Sequence, residues 1–132
     1  MGPMNAATQP SKLYIVDDSP AIRLRLVDLV SRMEGVQVVG EAANAPQAVV
    51  DILALRPDSV LLDLDLGDSS GMQVLRSVHP QMPEVKFVVL TNHSEPQYRR
   101  ACERAGAAYF LDKSTEFDQV RQVVAEIASA RH

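Results

Sequence analysis

Five times between Lys12 and Ala130 a short apolar run is followed by a longer stretch whose apolar residues recur at helical spacing. No other feature restricts the fold as much. A strand that is apolar at nearly every residue has to bury both of its faces. Strands that alternate with helices pair in parallel, and the helices then cover both faces of the sheet. The runs are Leu13 to Val16 (LYIV), Val36 to Ala42 (VQVVGEA), Ser59 to Asp63 (SVLLD), Val85 to Leu90 (VKFVVL) and Ala108 to Asp112 (AYFLD). The second is part-polar, as suits an edge strand. Five units are too few for an eight-fold barrel, so the expectation is an α/β fold with a five-stranded, doubly wound parallel sheet, (βα)5. A chain of 132 residues is the size of one such domain with one core. That domain is expected over 12–130, with 1–11 set apart as a disordered leader or cloning remnant.

Local chemistry marks where the helices begin and end. Ser19 and Pro20 suit an N-cap and first turn, and Ile22, Leu26, Leu29, Val30 and Met33 follow at helical spacing until Gly35. Asn44 is expected to cap the second helix, which closes before Pro57. The third carries SGMQVLRSV, and Ser94 and Gly106 are expected to bound the fourth. Thr115 and Asp118 resemble a capping box for the last helix, which runs to about Ala130.

The net charge of −4 argues against direct DNA binding, which rests on Lys and Arg set against phosphate. The single cysteine, Cys102, excludes an internal disulfide and fits a reducing compartment. No apolar run approaches the ~20 residues of a membrane span. The start, MGPMNAATQP, has neither a basic region nor an apolar core, so it is no secretory signal. A cytoplasmic protein without membrane contact is expected.

In open parallel sheets, ligands bind beyond the carboxyl ends of the strands. Those ends carry Asp17 and Asp18, then Asp63, Thr91 and Lys113. Three acids at one rim repel each other unless something compensates. Lys113 supplies one positive charge and a divalent cation would supply the rest. An all-oxygen donor set with room for water suits Mg²⁺ best, or Mn²⁺. A carboxylate beside such an ion, an ammonium and a hydroxyl is equipped to receive a phosphoryl group.

Four segments, VDDSP, PDSVLLDLDL, VVLT and AGAAYFLDKS, resemble the receiver domain of bacterial two-component response regulators, in this order and at these strand ends. The resemblance covers nearly all of the chain from Lys12. It implies the flavodoxin-like strand order 2-1-3-4-5 and a stand-alone switch similar to the chemotaxis regulators. It further implies that Asp63 is phosphorylated by a sensor histidine kinase or phosphotransfer protein. Asp18 matches the direct metal ligand, Asp17 an acid that helps hold the ion, and Asp65 a ligand through its backbone carbonyl. Thr91 matches the hydroxyl that moves toward the phosphoryl group, Lys113 its ammonium partner, and Phe110 the aromatic that turns inward when Thr91 moves. The output is then a changed surface on helix four, strand five and helix five, offered to a downstream effector protein or to a second copy as a homodimer. The domain is no separate enzyme, since it catalyses only its own phosphorylation and dephosphorylation. An intermediate in a phosphorelay is the runner-up reading.

The chain departs from the family pattern at Gly67 (usually Pro), Asn92 (usually small), Phe110 (more often Tyr) and Ser114 (often Pro). Without a hydroxyl, Phe110 is expected to act by packing alone. Asn92 and His93 stand close enough to modulate the site, although a solvated loop is the plainer reading of His93. His79 and His132 read as surface residues, and Cys102 as a packing residue. Arg99, Arg100 and Arg104 make helix four basic. The DLD of residues 63–65 also resembles the aspartyl-phosphate motif of haloacid-dehalogenase-type phosphatases, which usually place it on the first strand.

Overall fold

The computed structural model describes residues 9–130, and most of the expected leader, like His132, lies outside them. The elements are β1 (Ser11–Val16), α1 (Pro20–Ser31), β2 (Val36–Ala42), α2 (Ala45–Leu55), β3 (Ser59–Leu62), α3 (Gly71–Val78), β4 (Lys86–Thr91), α4 (Pro96–Arg104), β5 (Tyr109–Asp112) and α5 (Val120–Ala130). The strands pair in parallel in the order β2-β1-β3-β4-β5, which is the expected arrangement. Residues 65–66 and 69–70 add a small antiparallel hairpin that the sequence reading did not anticipate. Ser11, expected in the leader, is the first residue of β1 and is buried.

The sheet separates two apolar cores. On one side, α2, α3 and α4 cover Tyr14, Val16, Val60, Leu62, Phe87, Val89 and Phe110. On the other, α1 and α5 cover Leu13, Ile15, Leu61, Val88, Leu90 and Leu111. Alternate residues of each strand thus supply alternate cores, and both faces are dry, as the apolar runs require.

One close fit accounts for an irregularity in β2. Between Leu13 and Tyr14 the β1–β2 register slips by one residue, so that Tyr14 pairs with Gly40. A Cβ at position 40 would lie 2.9 Å from a Tyr14 ring carbon, so the bare glycine makes room for the ring. The phenol then donates to Asp51 Oδ2 on α2 at 2.5 Å, which gives the buried hydroxyl its partner.

Ser19 and Asn44 cap α1 and α2 as expected, accepting from Ile22 N and Gln47 N. Ser70 caps α3 in a reciprocal box with Gln73. Two expected caps do not form. The N-cap position of α4 is Glu95, without a side-chain bond, and Ser94, one residue earlier, instead bonds the Asp112 carboxylate. The last helix starts with a 3-10 turn at Phe117–Gln119 in place of a Thr115–Asp118 box. There the Asp112 carboxylate already accepts from Ser114 N (2.8 Å), Ser114 Oγ (2.6 Å) and Thr115 N (3.3 Å). Asp112 thus accepts the Thr115 N–H that Asp118 would accept in such a box.

Candidate functional site

The sheet's hydrogen-bond ladder runs one residue past the strand ends, and this fixes the rim. Asp17 N donates to Ala42 O (3.1 Å), Asp63 N to Val16 O (3.0 Å) and Lys113 N to Thr91 O (2.8 Å). Three residues from distant parts of the chain are therefore held by their own backbones before any side-chain contact is made. The Lys113 ammonium then bridges the two buried acids, 2.8 Å from Asp17 Oδ2 and 2.9 Å from Asp63 Oδ2. The remaining oxygens are also engaged, Asp17 Oδ1 by Ser19 N (2.9 Å) and Asp63 Oδ1 by Asp65 N (3.3 Å).

Burial pushes the Asp63 carboxyl up from its usual range, and the nearby Asp17 charge pushes the same way. The Lys113 hydrogen bond and charge oppose that rise without cancelling it. For Lys113, burial favours the neutral amine, but bonds to Asp17 and Asp63 outweigh it and hold the ammonium above its usual range. One cation facing two buried carboxylates leaves the rim short of positive charge.

Asp18 completes the set. It is exposed, and one carboxylate oxygen from each of Asp17, Asp18 and Asp63 can be chosen so that all three lie within 4.8 Å of one another. Three hard oxygen donors, one open to solvent, fit a small divalent cation that keeps part of its water. The donor set offers no nitrogen or sulfur to favour a softer metal.

The other expected residues divide into two groups. Thr91 is fully buried at the end of β4, and its Oγ1 accepts from His93 N at 3.1 Å. The Asp65 side chain faces solvent, with its Oδ2 3.7 Å from His93 Nε2. Asn92 and His93 are exposed, and the His93 ring lies tilted against Tyr98 with centroids 5.4 Å apart. Phe110 lies away from the rim, buried in the core beneath α4. Besides its packing there, its ring centroid lies 4.7 Å from the Arg99 guanidinium. His79 is no plain surface residue: its ring fills the space where Gly106 would carry a Cβ, and its Nδ1 is buried without a partner.

Two residues at the site, Arg23 and Gly71, escaped the sequence reading, and Gly67, already singled out there, has a backbone shape that spacing did not reveal. Arg23 Nη1 donates to the Asp17 carbonyl at 2.6 Å and, with a 2.9 Å bond to Glu41, ties α1 and β2 to the rim. Gly71 starts α3 so close to the end of β3 that a Cβ would lie 2.2 Å from the Asp63 carbonyl oxygen. Gly67 has φ +72°, which proline cannot adopt, so the family's common proline would need another loop shape here. The glycines were visible in sequence, but nothing local to Arg23 points to Asp17.

The family model described as the response regulator receiver domain matches residues 13–125. The chain is 29% identical over 120 residues to the DNA-binding transcriptional activator DevR/DosR of Mycobacterium tuberculosis, covering 91% of this chain and 55% of that protein. It is 37% identical over 112 residues to protein-glutamate methylesterase/protein-glutamine glutaminase 1 of Carboxydothermus hydrogenoformans, covering 83% of this chain and 32% of that protein. Among solved structures, the signal receiver domain of the putative response regulator NarL from Mycobacterium tuberculosis has a TM-score of 0.83 and 30% identity, covering 93% of this chain and 99% of that one. The chain spans about half the length of the transcription regulators it matches. No described helix is long and apolar enough to cross a membrane.

Proposed function

The chain belongs to the response regulator receiver domain family, and from that premise we propose that Asp63 accepts a phosphoryl group from a phosphohistidine of a kinase or phosphotransfer protein. An Asp63 carboxylate oxygen attacks phosphorus, the phosphorus–nitrogen bond breaks, and its electron pair stays on the departing imidazole. The observation that carries this reading is that one buried carboxylate at the end of β3 meets the Lys113 ammonium and a backbone N–H at once, beside two further acids. Asp17, Asp18, Asp63 and the Asp65 carbonyl would hold Mg²⁺. When bound, Mg²⁺ supplies the positive charge that the carboxylates and the phosphoryl oxygens lack. Lys113 pairs with the transferred group. Thr91 leaves the His93 backbone and donates its hydroxyl to a phosphoryl oxygen, and Phe110 responds to the space so made. Hydrolysis of the acyl phosphate resets the switch.

The output is a shift of the surface formed by α4, β5 and α5, read by an effector protein or by a second copy. The narrower proposal is a stand-alone, chemotaxis-like regulator, and the mass of the native gene product tests it against the longer regulators it resembles. Incubation with acetyl phosphate and Mg²⁺ should add one phosphoryl group, seen as 80 Da by mass spectrometry. Asp63→Asn should abolish the addition, and Asp18→Ala should reduce it at least tenfold with the fold intact. Labelling of Asp63→Asn at the parent level, or turnover of a generic phosphate monoester, would overturn the reading.

A further inference from the structure

We propose that Arg99 is a positioning residue that carries the state of Phe110 to α4. This rests on the switch reading above and assigns the contact through which the ring's position reaches the surface. α4 is attached lightly, since Cys102 is its one buried residue and its first turn has no side-chain cap. One turn before Cys102, the Arg99 guanidinium covers the Phe110 ring at 4.7 Å, and its Nη1 reaches the Phe110 carbonyl oxygen at 3.5 Å. Phe110 as a whole is 6% exposed. Arg99 thus holds both the side chain and the backbone of one β5 residue, at the mouth of a groove of about 360 Å³ between α4 and α5.

Phe110 has no hydroxyl, so the polar link between this residue and α4 comes from Arg99. When the ring shifts toward the space beside Thr91, the guanidinium loses the face it lies on and the first half of α4 loses that hold. A cation over an aromatic ring at an exposed position changes a conformational equilibrium by a factor of about two to five. That is enough to bias two nearly balanced positions of a lightly attached helix and too little to lock either. Lysine keeps the charge but lacks the planar face, so it would replace arginine only in part.

The test is NMR of the parent, Arg99→Ala and Arg99→Lys, each with and without beryllofluoride and Mg²⁺ as the phosphoryl mimic. In the parent, the Arg99 Nε–H and side-chain protons should show ring-current shifts that disappear in Phe110→Leu. In Arg99→Ala without the mimic, α4 amides should already lie toward their parent positions with the mimic, and the remaining change should be at least twofold smaller. Amides around Asp63 and Thr91 should respond to the mimic as in the parent, and Arg99→Lys should fall between. Parent-sized α4 shifts in Arg99→Ala, with site amides responding normally, would overturn the inference alone. No response around Asp63 and Thr91 in the parent would overturn the phosphoacceptor reading and the inference with it.

Discussion

α4 and α5 flank β5 on opposite faces of the sheet, yet they are held very differently. α5 buries Val120, Val123, Val124 and Ile127 against the strands. α4 buries only Cys102, whose thiol lies 3.6 Å from the Met72 sulfur. At ~1.5–3 kcal/mol for a fully buried large apolar side chain, α5 contributes several times what α4 does. Under the proposed switch, the difference separates two tasks. A helix that keeps the sheet folded needs many contacts, whereas a helix that reports a change needs two positions close in energy, and elements that move are drawn from the weakly held part of a fold.

The largest effect expected from this contrast is at Ile127. Ile127→Ala should cost about 3 kcal/mol of global stability in urea unfolding, through lost burial and the cavity left behind. A loss below about 1 kcal/mol would put α5 on the same footing as α4. Cys102→Ala should cost about 1 kcal/mol, and its main signature should be local. In hydrogen exchange, α4 amides of the parent should open at free energies well below those of β1, β3 and β4, and the substitution should lower them further. If α4 instead exchanges together with the central strands, the contrast fails.

The smallest effect concerns Asp112, which joins the two regions. Bonds from Ser114 first, then from Ser94 and the backbone of Ser114 and Thr115, hold its carboxyl at about 2 against an ordinary 3.8. The folded value is depressed, so its stabilisation is full above the unfolded value and disappears as pH falls through about 2. Asp112→Asn should therefore be less stable than the parent at neutral pH, with the two curves converging in acid. Curves that stay parallel down to pH 2, followed by circular dichroism, would remove Asp112 from the account.

The strands and the rim were legible because both are written locally. An apolar run that ends on Asp17, Asp63 or Lys113 states at once where a strand stops and which polar group is placed there. Helix starts were read less well where the Asp112 side chain engaged the residues expected to cap. Ser94 and Thr115 look like caps by spacing, but Asp112 engages both. The contact of Arg23 with the Asp17 carbonyl and of Arg99 with Phe110 depend on how α1 and α4 lie against the sheet, which sequence spacing does not encode.

The two separate cores also divide the residues of β5 between them. Phe110 packs with the core under α2, α3 and α4, whereas Leu111, the next residue, packs with the core under α1 and α5. Side-chain direction alternates along a strand, so the choice of listener is settled by whether a residue's position in β5 is odd or even. A rearrangement of the Phe110 side chain would meet the core under α2, α3 and α4 directly and would reach α5 only through the backbone of β5. The sheet works as a partition as well as a scaffold. Under the proposed switch, a change at the rim would enter the two halves through different residues of one strand.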